Sequence, residues 1–328
     1  MNTAPAPRRV GAMLPRDLAS DQVLDFARRA ETLGFDELWV VEDLGFRGGV
    51  AQAGAVLAST SRIRVGIGIL PAGARNAAFA AMEIATLAQL FPGRLTVGIG
   101  HGMRDWMEQV DARPASPLTL IQEYATALRT LLLGHPGPAP GRYVHAQDVL
   151  LDQPPAQVPP LVLGVRGPRS LAVAGRVADG VLLAEPANPA YIRAALAQVR
   201  SEVSGRAPMV ITYDAAAVDT DPEAALERVR PALASVGDRD WAPHIAPLPF
   251  AEALTAHRAA CSGPEEFAAT LPRAWVEELS LAGTPEGVRA GIAARHDAGA
   301  HTVVLAPAGP DPRAELDRLG RVLEHRRR

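Results

Sequence analysis

Apolar positions along the chain fall into two rhythms. Short unbroken apolar runs predict strands, and the longer segments between them carry apolar residues three or four apart, as helices do. Residues 9–14 read as a first strand, and Ser20 as N-cap of a helix with Val23, Phe26, Ala27, Ala30 and Leu33 on one face, stopped by Gly34. Residues 37–41 (ELWVV) form a second strand ending in Glu42-Asp43, followed by a small-residue helix over 50–58. A third strand spans 63–70. Asn76 then caps a helix with the stripe Ile84, Leu87, Leu90 and Phe91, and residues 95–99 make a fourth strand. After a helix over 117–133 and a Pro/Gly-rich excursion over 134–160, strands are predicted at 161–165, 181–184, 210–218 and 302–306. Helices are predicted at 168–178, 189–203, from Thr284-Pro285 to Ala298, and at 313–326.

Strands that are apolar throughout need cover on both faces or closure into a barrel. Eight strand–helix units in 328 residues fit a (β/α)₈ barrel, a fold that commonly takes roughly 250 residues or more as one domain. The chain is accordingly expected to be a single domain over 1–328. Residues 219–283 are too long for one crossover and read as an insertion on the carboxyl-end rim. Chemistry in such a barrel belongs at the carboxyl ends of the strands, here Glu42-Asp43-Leu44, Gly68-Ile69-Leu70-Pro71, Gly98 to Gly102, Val165 to Pro168, Glu185-Pro186 and Ala306-Pro307.

Composition narrows the chemistry further. All 33 basic residues are arginine, so no Schiff-base lysine and no P-loop lysine is available. The net charge is −3 with no long block of either sign, and the only dense basic run is Arg326-Arg327-Arg328, which argues against a nucleic-acid partner. Cys261 is the single cysteine, which excludes an internal disulfide framework and a thiolate zinc cluster. No apolar stretch approaches the roughly 20 residues of a membrane span, and the first ten residues lack a signal-peptide core. The expected location is the cytoplasm, the expected partner a small-molecule substrate, and the expected assembly a homodimer.

Among the motifs, GIGHGM departs from the dinucleotide fingerprint because position 103 is Met and no helix is expected to open directly from the glycines. Those glycines read as slimming the backbone where something planar or bulky approaches. The eight histidines show no metal-ligand spacing, so no metal is expected, and there is no G-x-S-x-G. Asp43 and Glu185 could serve as a glycosidase pair. The turn Arg166-Gly167-Pro168-Arg169-Ser170 is a candidate phosphate site, since a helix N-terminus offers free N–H groups and here has guanidinium groups beside it. Trp106 and Trp241, with Trp275 and Phe250, fall on the fourth loop and the insertion, where they would cover an apolar substrate; buried packing is the expected role for at least two of them.

The segments LWVVED, RVGIGILPAGARNAAFAAMEIATLAQLFPGRLTVGIGHG and VLGVRGPRSLAVAGRVADGVLLAEP resemble the bacterial luciferase-like oxidoreductase superfamily. The resemblance is strongest to the branch that uses the deazaflavin coenzyme F420, which includes methylenetetrahydromethanopterin reductase. It runs over about 9–199 and resumes from 282, leaving the insertion unmatched. It implies a (β/α)₈ barrel with the ring over the mouth against Gly68 and Ile69, and a non-proline cis peptide in a bulge there. It further implies Gly100-His101-Gly102 along the same face, the cofactor phosphate at Gly167, and Asp43 close to the ring. Arg166, Pro168, Arg169 and Glu185 would complete the cofactor site. In the sugar-phosphate dehydrogenases of that branch a histidine follows the aspartate and a glutamate follows the fourth-strand glycines. Leu44 and Met103 stand at those positions here, which argues against sugar-phosphate oxidation. Glu42, Asp43 and His101 remain as proton-transfer candidates. Hydride transfer through F420 is the expected activity. FMN-dependent oxygen chemistry with a partner flavin reductase is the alternative, and flavin binding without turnover a third reading.

Overall fold

The computed structural model describes residues 8–202 and 207–327. The expected helix end at Val203 and the Arg328 end of the basic tail lie outside the described residues. The chain runs β1 (Arg9–Met13), α1 (Val23–Leu33), β2 (Glu37–Val40), α2 (Gly49–Ser59), β3 (Arg64–Pro71), α3 (Ala77–Leu90), β4 (Leu95–Gly100), α4 (Arg104–Gln109) and α5 (Pro117–Leu132). It continues through β5 (Leu161–Gly164), α6 (Pro168–Val177), β6 (Gly180–Leu183), α7 (Pro189–Arg200) and β7 (Met209–Val218). Helices α8 (Pro222–Val229), α9 (Ala242–Ile245), α10 (Ala251–Ala260), α11 (Pro264–Thr270) and α12 (Arg273–Leu279) follow. The last elements are β8 (Leu281–Gly283), α13 (Pro285–Ala298), β9 (Thr302–Pro307) and α14 (Pro312–Gly320).

Every pairing in the sheet is parallel. Strands β1 to β7 pair in sequence order, β7 pairs with β9 from Ile211↔Thr302 to Ala216↔Pro307, and β9 pairs with β1. Eight strands therefore close into a (β/α)₈ barrel, as the strand count implied. The ninth, β8, pairs only with the far end of β7 (Ala216↔Leu281 to Val218↔Gly283) and stands outside the ring. Three residues are too few for an apolar run to register in the sequence.

Strand alternation sorts the side chains. Leu38 and Val40 of β2 join the cluster between barrel and helices, whereas Trp39 turns inward with Val162, Leu182, Ile211, Tyr213 and Val304. Helices α8, α11 and α12 have their own apolar cluster, in which Leu226, Phe267, Val276 and Leu279 pack with Ala215 and Ala217 of β7. Those alanines belong to the carboxyl half of β7, so this cluster packs at the carboxyl end of the barrel.

Three local expectations are corrected. Ser20 opens a short 3₁₀ turn, and the N-cap of α1 is Gln22 without a side-chain bond. Helix α4, absent from the expected elements, begins at Arg104 with Met103 as its N-cap, so no helix opens directly from the glycines. Leu90 leaves the buried stripe of α3: Ile84 and Leu87 are buried, while Leu90 is 66% exposed on an outer face with Phe79 and Met82. Asn76 and Thr284 do cap their helices, accepting from Ala78 N at 2.8 Å and Gly287 N at 3.2 Å. No helix among the described residues is long and apolar enough to cross a membrane.

Candidate active site

Adjacent residues on an extended strand point opposite ways, and this separates Glu42 from Asp43. Glu42 lies outside the barrel mouth. Its carboxylate accepts from Gly49 N at the start of α2 (2.7 Å) and from both terminal nitrogens of Arg75 (2.8 and 2.9 Å). Three donors fix it as the joint between β2, α2 and the loop before α3. Among the described residues Asp43 is paired with Arg16 Nη1 at 2.7 Å, and that guanidinium also lies 5.0 Å over the Phe46 ring. Leu44 and Phe46 are exposed next to it, giving the rim an apolar stretch.

On β3 the register slips between Ile67 and Leu70, and the Gly68–Ile69 peptide inside this bulge is cis, as the family resemblance implied. The bulge turns the Ile69 side chain across the neighbouring strands. A Cβ on Gly100 would lie 2.8 Å from Ile69 Cδ1, and one on Gly164 would lie 2.4 Å from Ile69 Cγ2. The bulky group for which these glycines clear space is therefore Ile69 itself. Gly68 has its own neighbour, because a Cβ there would meet Tyr213 Oη at 1.9 Å. Tyr213 rises through the barrel edge-on to Trp39 (centroids 5.8 Å, 75°) and reaches Gly68 O at the outer limit of a hydrogen bond, 3.5 Å. Burial holds its hydroxyl well above the usual tyrosine range, with the charges of Glu185, Glu37 and Asp43 adding to the effect, so it stays a neutral donor.

His101 is engaged with α6. Its Nε2 lies 3.1 Å from Ser170 Oγ, joining the end of β4 to the first turn of α6, and burial lowers its pKa, which keeps the ring neutral at neutral pH. Gly167 is the N-cap of α6 (φ −87°, ψ 155°), and no side chain caps that helix. Open space lies where a Cβ of Gly167 would stand. Pro168 at N1 and the exposed Arg169 follow, so the first turn keeps amides for an outside acceptor. Arg166 lies with its guanidinium 4.8 Å over the Trp241 ring and donates to Asp240 O at 3.2 Å.

Glu185 stands two residues beyond β6 and is followed by a cis bond to Pro186. Trp241 Nε1 donates to its carbonyl at 3.0 Å. Burial raises the Glu185 carboxyl pKa, the charges of Asp214 and Asp43 push the same way, and Arg166 opposes them. Asp214, by contrast, is sealed off. It pairs with Arg295 Nε at 2.8 Å and Thr212 Oγ1 at 3.1 Å, and burial pushes its carboxyl up to about 6 despite the guanidinium.

One rim thus brings together Asp43, the Gly68–Ile69 bulge, His101, the Gly167 turn and Glu185. Trp106 is half-buried on α4. Trp275 and Phe250 stack on each other (5.1 Å, 8°) at the edge of the α8–α12 cluster, which is a packing role. Sequence reasoning missed Arg16, Tyr213 and His244. Tyr213 sits inside an apolar strand and the other two in segments of no periodicity, so each acquires meaning only through distant contacts.

An acid, a bulge and an uncapped helix start thus stand together on the carboxyl-end rim, the face where a (β/α)₈ barrel carries its chemistry. The luciferase-like monooxygenase family model matches residues 5–302, and the chain belongs to that family. It is 26% identical over 317 residues to the 5,10-methylenetetrahydromethanopterin reductase of Methanolobus tindarius, covering 92% of this chain and 96% of the relative. Its fold superposes on the coenzyme F420 dependent tetrahydromethanopterin reductase from Methanopyrus kandleri with a TM-score of 0.83 at 23% identity, covering 98% of this chain and 99% of the other. It superposes on the oxygenating constituent of 3,6-diketocamphane monooxygenase from Pseudomonas putida, a type II Baeyer–Villiger monooxygenase in complex with FMN, with a TM-score of 0.71 at 14% identity, covering 97% of each chain. Both structural likenesses are likenesses of fold.

Proposed function

We propose that the chain is an oxidoreductase that moves a hydride between coenzyme F420, seated at the carboxyl-end mouth, and a small apolar molecule. The observation that carries this reading is the shared rim: an acid at Asp43, the bulge at Gly68–Ile69, and the uncapped start of α6 at Gly167. The near full-length similarity to a methanopterin reductase supports the deazaflavin over a flavin.

The residues present fit such a group. The amides of Arg169 and Ser170, with the Arg169 guanidinium, would hold its phosphate. Ile69, Gly68 and Gly100 would form the surface against its ring, with Tyr213 as a neutral donor beneath. When bound, the deazaflavin supplies a hydride and little oxygen chemistry. The chain's own part is positional and protic. Arg16 orients the Asp43 carboxylate, and Asp43 exchanges a proton with the substrate oxygen as the hydride arrives or leaves. Leu44 and Phe46 on the rim, with Trp106, would exclude water and favour an apolar substrate.

The test is deazaflavin absorbance followed anaerobically with apolar carbonyl compounds and alcohols. Substrate-dependent reduction or reoxidation is expected. The likeness to an FMN-bound monooxygenase favours a second reading, in which a separate flavin reductase delivers reduced FMN; oxygen uptake with reduced FMN and no deazaflavin turnover would select it. The exposed stripe Phe79, Met82 and Leu90 on α3 supports a homodimer, to be checked by light scattering.

A further inference from the structure

We propose that Trp241 and His244, in the segment between β7 and β8, are positioning residues that clamp the ends of β5 and β6 and so set Arg166 and Glu185 toward the mouth. Two consecutive carbonyls of the β6 end are taken by this segment. Trp241 Nε1 donates to Glu185 O at 3.0 Å, and His244 Nδ1 lies 3.2 Å from Pro186 O. His244 is fully buried, and its Nε2 is buried without a hydrogen-bond partner. Carbonyl oxygens are what the ring faces, Pro186 O at 3.2 Å and the Ala184 carbonyl beside it, so the neutral ring serves the β6 end as a donor. A buried ring with one orphaned nitrogen is a poor choice for filling space alone, since an apolar side chain would do so without that penalty. What histidine adds is the donor.

The β5 end is held by the same platform. The guanidinium of Arg166 lies on the Trp241 ring and donates to Asp240 O, while its carbonyl accepts from Tyr191 Oη at 3.3 Å. Tyr191 in turn stacks on His244, with centroids 4.4 Å apart at 26°. Asn188 closes the circuit: its Nδ2 donates to His244 O at 3.3 Å, and its Oδ1 accepts from Tyr191 N at 2.9 Å as the cap of α7. The two strand ends that lead to Arg166 and Glu185 thus share one support, and that support lies in the segment outside the strand–helix repeat. Fixed geometry at a binding site depends on such supporting contacts. Burial, with Arg166 adding to it, lowers the His244 pKa to about 3, so the clamp stays neutral across the working pH range.

The cofactor part of the test rests on the mouth being a deazaflavin seat; the geometric part does not. Three variants of the full chain separate the contributions. Trp241→Phe keeps a ring over Arg166 and removes the donor, His244→Phe keeps the stack on Tyr191 and removes the donor, and His244→Asn retains an N–H near the position of Nδ1. Amide exchange at 184–188 is read by mass spectrometry, and F420 and FMN are titrated separately. Both phenylalanine variants should speed exchange in that loop roughly tenfold and weaken cofactor binding by a similar factor, and His244→Asn should recover most of both. Unchanged loop exchange in the two phenylalanine variants would overturn the proposal, as would a fall in thermal midpoint with exchange and affinity intact, which marks packing alone. If the wild-type chain takes up neither cofactor, the reading of the mouth fails, and the exchange measurement alone decides the clamp.

Discussion

At the amino end of the barrel, Glu37 is tied on all sides. Trp39 Nε1 donates to one oxygen at 2.9 Å, Arg9 Nη1 to the other at 3.3 Å, and Arg64 Nε stands 3.9 Å away. At the carboxyl end Asp43, three residues beyond β2, is paired among the described residues with Arg16, a side chain that is half exposed. Glu185 there is anchored through its carbonyl. The two ends of one barrel thus treat their carboxylates differently. The closed end spends its donors on stability, and the open end leaves acceptors and amides for a ligand, as expected where barrel chemistry is confined to one face.

The comparison predicts opposite phenotypes at the two ends. Glu37→Ala leaves the buried indole N–H without its acceptor and the partly exposed Arg9 without its carboxylate, and should cost about 3 kcal/mol of unfolding free energy in urea, while the protein that remains folded binds cofactor normally. Loss of cofactor affinity without loss of stability would blur the division. Asp43→Asn should lower turnover about 100-fold while leaving cofactor affinity within an order of magnitude and the unfolding midpoint nearly unmoved. His101→Ala should affect substrate binding more than rate, since the ring is engaged with Ser170. A normal Asp43→Asn beside an inactive His101→Ala would transfer the proton chemistry to β4.

A smaller effect is expected at the clamp. The folded pKa of His244, about 3, lies below its unfolded value near 6.5, so the unfolded chain binds the proton more tightly. The stability this contributes is complete above pH 6.5 and is lost as the pH falls toward 3, reaching about 2 kcal/mol of loss at pH 5. The wild-type chain should show this slope relative to His244→Phe, a difference in which Asp214 and other titrating groups largely cancel. Parallel pH profiles for the two proteins would remove His244 from the buried, neutral state. The mildest prediction concerns Gly167. Its φ suits any residue and a Cβ there meets nothing, so Gly167→Val should fold normally yet weaken cofactor binding roughly tenfold by shielding the α6 amides. Unchanged affinity would place the phosphate elsewhere.

The sequence displayed the barrel well, because a parallel strand buried on both faces must be an apolar run, and Asn76 and Thr284 carry their capping signal locally. Short or tertiary features stayed hidden. Strand β8 has three residues, and α4 owes its start to no cap that a side chain announces. At the site, neighbours in sequence were legible and partners in space were not. Alternation along β2 separated Glu42 from Asp43, but Arg16, 27 residues away, gave no sign of its role. The glycines of β4 were visible as clearance, whereas what fills it, Ile69, depends on a bulge that the apolar pattern of β3 conceals.

Titrating the purified chain separately with F420 and with FMN tests the central claim most directly, since it asks which group the open end of the barrel is built to hold. Saturable F420 binding at one per chain is predicted, with FMN at least roughly tenfold weaker, a difference of about 1.4 kcal/mol. Tight FMN binding with no uptake of F420, or uptake of neither, would contradict the account.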